Sequence, residues 1–169
     1  DMSFYKTYND KNIIQIMKHG ILALVMMCLC LPLAGADKEK ELPKDFKSLK
    51  ALAEKGDAKA QFLLGDMYAS GSLGKNDLVI KEAVKWYRKS AEQGYARAQF
   101  FLGTRYEFGE GVLEDDATAY AWYKIAAANG SEMGKENKPK LAKDMTAEQI
   151  AKAEALVKEM VKKNPKLLK

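Results

Sequence analysis

Between Gly56 and Gly130 the apolar positions recur at intervals of three and four, the spacing of one face of an α-helix. Ala58, Phe62, Gly65 and Ala69 share one such face, and Ala83, Trp86, Tyr87, Ser90 and Ala91 share another. The alternation that marks a half-buried strand is absent. The pattern therefore predicts a helix, a loop and a second helix. It then predicts the same again, because the stretch QFLLGDMYASG from Gln61 returns as QFFLGTRYEFG from Gln99, 38 residues later.

The matches define a repeating unit. Gly56, Ala58, Ala60, Gln61, Phe62, Leu64, Gly65, Tyr68 and Gly71 align with Gly94, Ala96, Ala98, Gln99, Phe100, Leu102, Gly103, Tyr106 and Gly109. Ala83, Trp86, Tyr87, Ala91 and Gly94 align with Ala119, Trp122, Tyr123, Ala127 and Gly130, now 36 residues on. Two extra residues therefore fall between Gly71 and Ala83 in the first unit, and the loop SGSLGKND is where an insertion is absorbed most easily. Gly94 and Gly130 sit where a helix end favours a left-handed residue. Gly65 and Gly103 lie inside helices, where glycine costs roughly 1 kcal/mol relative to alanine. Keeping it twice predicts close approach of the neighbouring helix to a bare Cα, with the repeated tyrosines and tryptophans filling the space between helices.

The pattern AxAQxxLGxxYxxG…AxxWYxxAAxxG resembles the Sel-one-like repeat, a short relative of the tetratricopeptide repeat. The second unit carries it best, with Gly109, Gly111 and Val112 in the loop, Asp115 at the next helix start, and Trp122, Tyr123, Ala126 and Ala127 at the end. The first unit lacks the GxGV loop and has Ser90 in place of an alanine. The resemblance implies an all-α fold, an α/α solenoid in which helix–loop–helix units form a right-handed superhelix. It also implies a bacterial exported protein that scaffolds other proteins in the periplasm or outside the cell.

The flanks then read as caps, which a solenoid needs because its open ends would expose core. Residues 45–56 align with the second-helix type and predict a capping helix. Repeat one spans 57–94 and repeat two 95–130. Residues 131–163 form a degenerate third pair, and the whole repeat domain covers 44–163. SEMGKENKPKLAKD is a poor helix that Pro139 should kink or interrupt. MTAEQIAKAEALVKEM is a strong one, with Thr146 and Gln149 as a capping box, Met145 and Ile150 as a hydrophobic staple, and an apolar stripe of Ile150, Ala153, Val157, Met160 and Val161. Seven helices follow, with residues 164–169 as a frayed basic tail.

The N-terminal part has a different character. Met17-Lys18-His19 precedes the apolar run ILALVMMCLCLPLAGA, which ends at Ala34-Gly35-Ala36. This reads as a secretory signal peptide over 17–36, cut after Ala36. The run up to Pro32 is shorter than the roughly 20 residues a spanning helix needs, so no membrane insertion is expected after cleavage. Met27 and Leu29 before the two cysteines argue against a lipidated cysteine. Residues 1–16 read as an upstream extension with no part in the fold.

Cleavage changes the available chemistry. The 133 residues from Asp37 to Lys169 hold no cysteine and no histidine, since Cys28, Cys30 and His19 all lie earlier. Most zinc sites, thiol catalysis and histidine acid–base chemistry lose their usual residues. The leader carries three of the 28 basic and two of the 23 acidic residues, so the net charge falls only from +5 to +4. The lysines near the two ends have no interleaved aromatics, and no nucleic-acid partner is expected. Glu114, Asp115 and Asp116, with Glu107 and Glu110 nearby, admit a calcium site or a carboxylate pair for glycan chemistry. Their spacing fits no calcium-binding loop, and capping of the next helix is the simpler role. The sequon Asn129-Gly130-Ser131 overlaps a helix-ending glycine and reads as chance. No catalytic, cofactor or metal residues are assigned.

Helix-pair solenoids present a concave surface to partners. Residues that match between units are scaffold, so those that differ on the first helices are the candidates for contact. These are Lys59 and Arg97, Leu63 and Phe101, Asp66 and Thr104, Met67 and Arg105, Ala69 and Glu107, and Ser70 and Phe108, with Phe101, Arg105 and Phe108 standing out. The function expected is a non-catalytic exported adaptor that holds a protein or peptide. The alternative is a cell-envelope glycan-binding or glycan-processing protein using the acids around Asp115.

Overall fold

The computed structural model describes residues 42–168 apart from Lys44, Ser72 and Lys75. The predicted signal peptide, its cleavage point and the upstream extension lie outside the described residues. Seven α-helices follow one another: α1 (Phe46–Glu54), α2 (Ala58–Ala69), α3 (Asp77–Ala91), α4 (Ala96–Glu107), α5 (Asp116–Ala128), α6 (Glu132–Asp144) and α7 (Ala147–Lys163). A short 3₁₀ turn closes the series at Pro165–Leu167. Each helix packs on the next through α6, and α7 packs on α5.

Local chemistry sets most helix starts. Asp45, Asp57, Asn76, Asp115 and Ser131 each accept a hydrogen bond from a first-turn amide, which satisfies a donor the helix leaves open. Thr146 and Gln149 form the expected reciprocal capping box on α7. The helix ends at Gly94 and Gly130 have φ of +81° and +87°, in the region that glycine enters without strain.

The mid-helix glycines are explained by one repeated contact. A Cβ on Gly65 would lie 2.7 Å from the Tyr87 ring, and one on Gly103 would lie 2.8 Å from the Tyr123 ring. Each would also stand 3.3 Å from a carbonyl oxygen of the facing helix, that of Ala83 or Ala119. The partner pressed onto the bare Cα is thus mainly the repeat's own tyrosine, fully buried in both units. Tyr87 shares its core cluster with Phe62, Leu102 and Ile125, none more than 1% exposed.

Two expectations need correction. Pro139 does not interrupt α6, which runs through it from Glu132 to Asp144. Lys135, whose carbonyl loses its partner to the proline, is exposed, as is Pro139 itself, so water can take that bond. The apolar side of the helix is meanwhile held by Gly134, where a Cβ would come within 2.8 Å of the Tyr123 carbonyl oxygen. Nor does the segment after α7 fray. Leu167 is 3% exposed and joins the core of repeat one and repeat two alongside Ala91, Ala98 and Trp122.

Candidate protein-binding surface

The residues that differ between repeats divide into two groups in space. One group gathers on the rings between α2 and α4. Phe101 stacks on Tyr87 with centroids 5.8 Å apart, and lies 5.5 Å from both Phe62 and Phe100. The Arg97 guanidinium lies 5.3 Å over the Phe62 ring, and that of Arg105 lies 5.9 Å over Tyr87. Both are within the range where a cation is drawn to an aromatic face. Asp66 accepts a 2.7 Å hydrogen bond from the Tyr87 hydroxyl. Two guanidinium groups, one carboxylate and a half-exposed phenylalanine therefore share one surface.

Its electrostatics follow from partial burial. Desolvation raises the Asp66 carboxyl above its ordinary range, against the pull of the Tyr87 hydroxyl and of Arg97 and Arg105. Burial also pushes the Tyr87 hydroxyl well above the usual tyrosine range, and its bond to Asp66 adds to the effect. Arg105 forms an ion pair with Glu110, yet its Nε is buried with no acceptor. A buried donor left unmade costs free energy, of order 1–3 kcal/mol. Arg97 is exposed.

The other candidates are placed differently. Leu63 and Met67 pack into core clusters, Met67 beside Leu49, Leu64 and Trp86. The Thr104 hydroxyl donates to the Phe101 carbonyl of its own helix at 2.7 Å. Lys59 is half-buried on the first turn of α2. Phe108 lies one residue beyond α4 and is 66% exposed.

The acids around Asp115 have local partners. Asp115 accepts from the Ala117 and Thr118 amides at 3.0 and 3.2 Å and from the Thr118 hydroxyl at 2.7 Å. Burial raises its carboxyl, but the bonds from Thr118 and Ala117 outweigh this and leave it below the usual range. Glu107 accepts from the Tyr123 hydroxyl and Glu110 pairs with Arg105. Among the described residues no three His, Cys, Asp or Glu side chains converge as metal ligands.

Several structural partners of this surface carry no role in the sequence reading. Gln61 and Gln99 were legible only as matched letters. Each is buried and caps the helix before its own, Gln61 donating to the Ala53 carbonyl at 3.0 Å and Gln99 to that of Ala91 at 3.1 Å. Gln99 also donates to the Leu167 carbonyl at 2.9 Å, and Asn129 donates to the same oxygen at 2.6 Å. The sequon asparagine is therefore a joint between repeat two and the C-terminal turn. Tyr95, at the start of α4, adds a ring 5.4 Å from Phe62.

The Sel1 repeat family model matches residues 58–95 and 96–131. Among solved structures, a protective antigen present in uropathogenic Escherichia coli strains, displaying an SLR (Sel1-like repeat) fold, is similar at 36% identity with a TM-score of 0.66. That match covers 72% of this chain and 26% of the antigen, so the chain spans about a quarter of the antigen's length. A Sel1 repeat protein from Oxalobacter formigenes is similar at 38% identity with a TM-score of 0.52, covering 56% of this chain and 69% of that one. No curated protein matches the chain.

Proposed function

The chain belongs to the Sel1 repeat family, and we propose that it is a non-catalytic adaptor that holds another protein or peptide against its first helices, α2 and α4. The observation that carries this is the shared surface of Phe101, Arg97, Arg105 and Asp66. It combines an aromatic anchor with arginines, the residue types enriched at binding hot spots. The signal-like segment 17–36 supports export, with cleavage after Ala36 and work in the periplasm or outside the cell. The lack of histidine and cysteine after Ala36 supports a role without catalysis. The glycan reading loses its main support, because the Asp115 oxygens are engaged at the start of α5.

The test is a crosslinking pull-down from the exported fraction with residues 37–169 as bait. The control is Arg97→Ala with Arg105→Ala. Arg97 is exposed and Arg105 carries an unsatisfied buried N–H, so this variant should keep its fold, as checked by circular dichroism. A protein captured by the native bait and lost from the variant supports the adaptor. Capture that ignores the variant removes this face from consideration.

A further inference from the structure

A second surface lies on α3, the second helix of repeat one, where it meets the loop of repeat two. Two adjoining hollows of about 430 and 410 Å³ share Lys81, Gly111 and Val112. Gly111 fixes the loop there, because a Cβ on it would meet Ile80 at 2.9 Å and its φ is +75°. The floor includes Val84, which is 4% exposed, and the outer rim carries Leu113, which is 89% exposed.

The rim of the larger hollow holds four cations, Lys81, Lys85, Arg88 and Lys89, against one carboxylate, Glu92. Among the described residues only Lys85 of these has an ion-pair partner, Glu82 on its own helix. Arg88 donates to the neutral Tyr106 hydroxyl at 2.7 Å, and the Lys89 ammonium lies 4.1 Å over the Trp86 ring. Lys81 makes no ion pair among the described residues. Asp77 lines the smaller hollow beside Lys81, but Arg88 and Lys89 are held by neutral groups and the rim of the larger hollow keeps an excess of positive charge, which favours an anionic ligand.

We propose that this groove docks an acidic peptide segment, a second interaction surface separate from the first-helix face. Lys81 and Arg88 are seven residues apart on α3, about 10 Å along the helix. A polyproline II segment, with three residues per turn and a rise of about 3.1 Å per residue, covers that distance in about three residues and brings every third side chain to the same face. The fitting ligand therefore carries carboxylates at every third position, with a small apolar side chain between them over Val84 and Val112. Trp86 is 7% exposed and Tyr106 half-buried, each already covered by a cation, so no free ring is offered to a nucleic-acid base.

The experiment uses a fluorescein-labelled nonapeptide with glutamate at every third position, separated by alanine and serine, and its glutamine counterpart. Fluorescence anisotropy is read with the purified protein at low and high salt. The expected result is binding of the glutamate peptide, weakened by salt, and at least tenfold weaker binding of the glutamine peptide. Lys81→Glu with Arg88→Glu should weaken binding at least tenfold while the circular dichroism spectrum stays that of the folded helices. Lys81→Glu alone, which spares the Arg88–Tyr106 bond, should give a smaller loss. Arg97→Ala with Arg105→Ala should bind as the native protein does, which separates this groove from the adaptor face. Absent binding, or binding indifferent to the α3 charges, overturns the proposal. So does binding of phosphatidylglycerol vesicles or oligothymidine through Lys81 and Arg88 without binding of the peptide.

Discussion

Repeat one and repeat two bury the same tyrosine and satisfy its hydroxyl from different places. Tyr87 and Tyr123 each lie across the bare Cα of a mid-helix glycine. Tyr87 donates to Asp66, whereas Tyr123 donates to Glu107, roughly one helical turn further along. The residue matching Asp66 is Thr104, and the residue matching Glu107 is Ala69. Ring packing is therefore the fixed part of the unit, and the acceptor moves. A buried hydroxyl needs a partner but does not dictate which helical turn supplies it. That freedom is what leaves Asp66 beside Arg97 and Arg105 and gives the α2–α4 surface its mixed charge.

The joints differ in the same way. Gln61 caps α1 and accepts from Gln93 at 2.7 Å. Gln99 caps α3, accepts from Asn129 at 2.8 Å, and also grips Leu167. The largest break in the comparison is therefore Leu167→Ala, which empties a core position with no counterpart in repeat one. Burial of this kind predicts a loss of about 3 kcal/mol in urea unfolding. Gln99→Ala comes next, at about 2 kcal/mol, because it removes one donor each from the Ala91 and Leu167 carbonyls, which Gly94 and Asn129 still serve, and takes the acceptor from Asn129. Gln61→Ala, which removes one donor from the Ala53 carbonyl that Gly56 still serves and the acceptor from Gln93, should cost about 1 kcal/mol. Equal losses at the two glutamines would mean that the C-terminal turn adds nothing to the joint.

Smaller effects separate the two hydroxyls. Asp66 is raised chiefly by burial, so the fold favours its neutral form. Its contribution is complete below the ordinary aspartate range and is lost as pH rises through the raised value. Asp66→Asn keeps an acceptor for Tyr87 and should remove that acid-side gain, seen as a flatter profile of stability between pH 3 and 7. Glu154 is the opposite case. Its hydrogen bond from Lys124 holds it below the usual range, with Tyr120 also donating to it. Stability from that pair is present at neutral pH and lost as pH falls through the glutamate range. Glu154→Gln should cost about 0.5 kcal/mol at pH 7 and less in acid, as expected of a partly exposed pair.

The repeat itself was legible because periodic packing writes periodic letters. Gly65 and Gly103, the tyrosines beyond them, and the glycines after α3 and α5 each answer one local demand that recurs at a fixed interval. The candidate surface was legible only in part. Divergence between repeats pointed to Arg97, Phe101, Arg105 and Asp66, which do meet. It pointed equally to Leu63, Met67 and Thr104, which face core or their own helix. A letter that changes between units is free to differ for packing as well as for contact, and spacing does not separate the two.

From the sequence alone came the helices, the caps at Asp115 and Thr146, the helix–loop–helix order and the family, since these rest on interactions within a few residues or on a pattern repeated along the chain. Tertiary structure alone decided the rest. It kept α6 whole through Pro139, because the proline faces water while Gly134 presses on α5. It seated Leu167 against Gln99 and Asn129, and it set Gly111 against Ile80 to open the basic groove. Each of these joins residues on different elements through contacts that do not repeat, so no local periodicity records them.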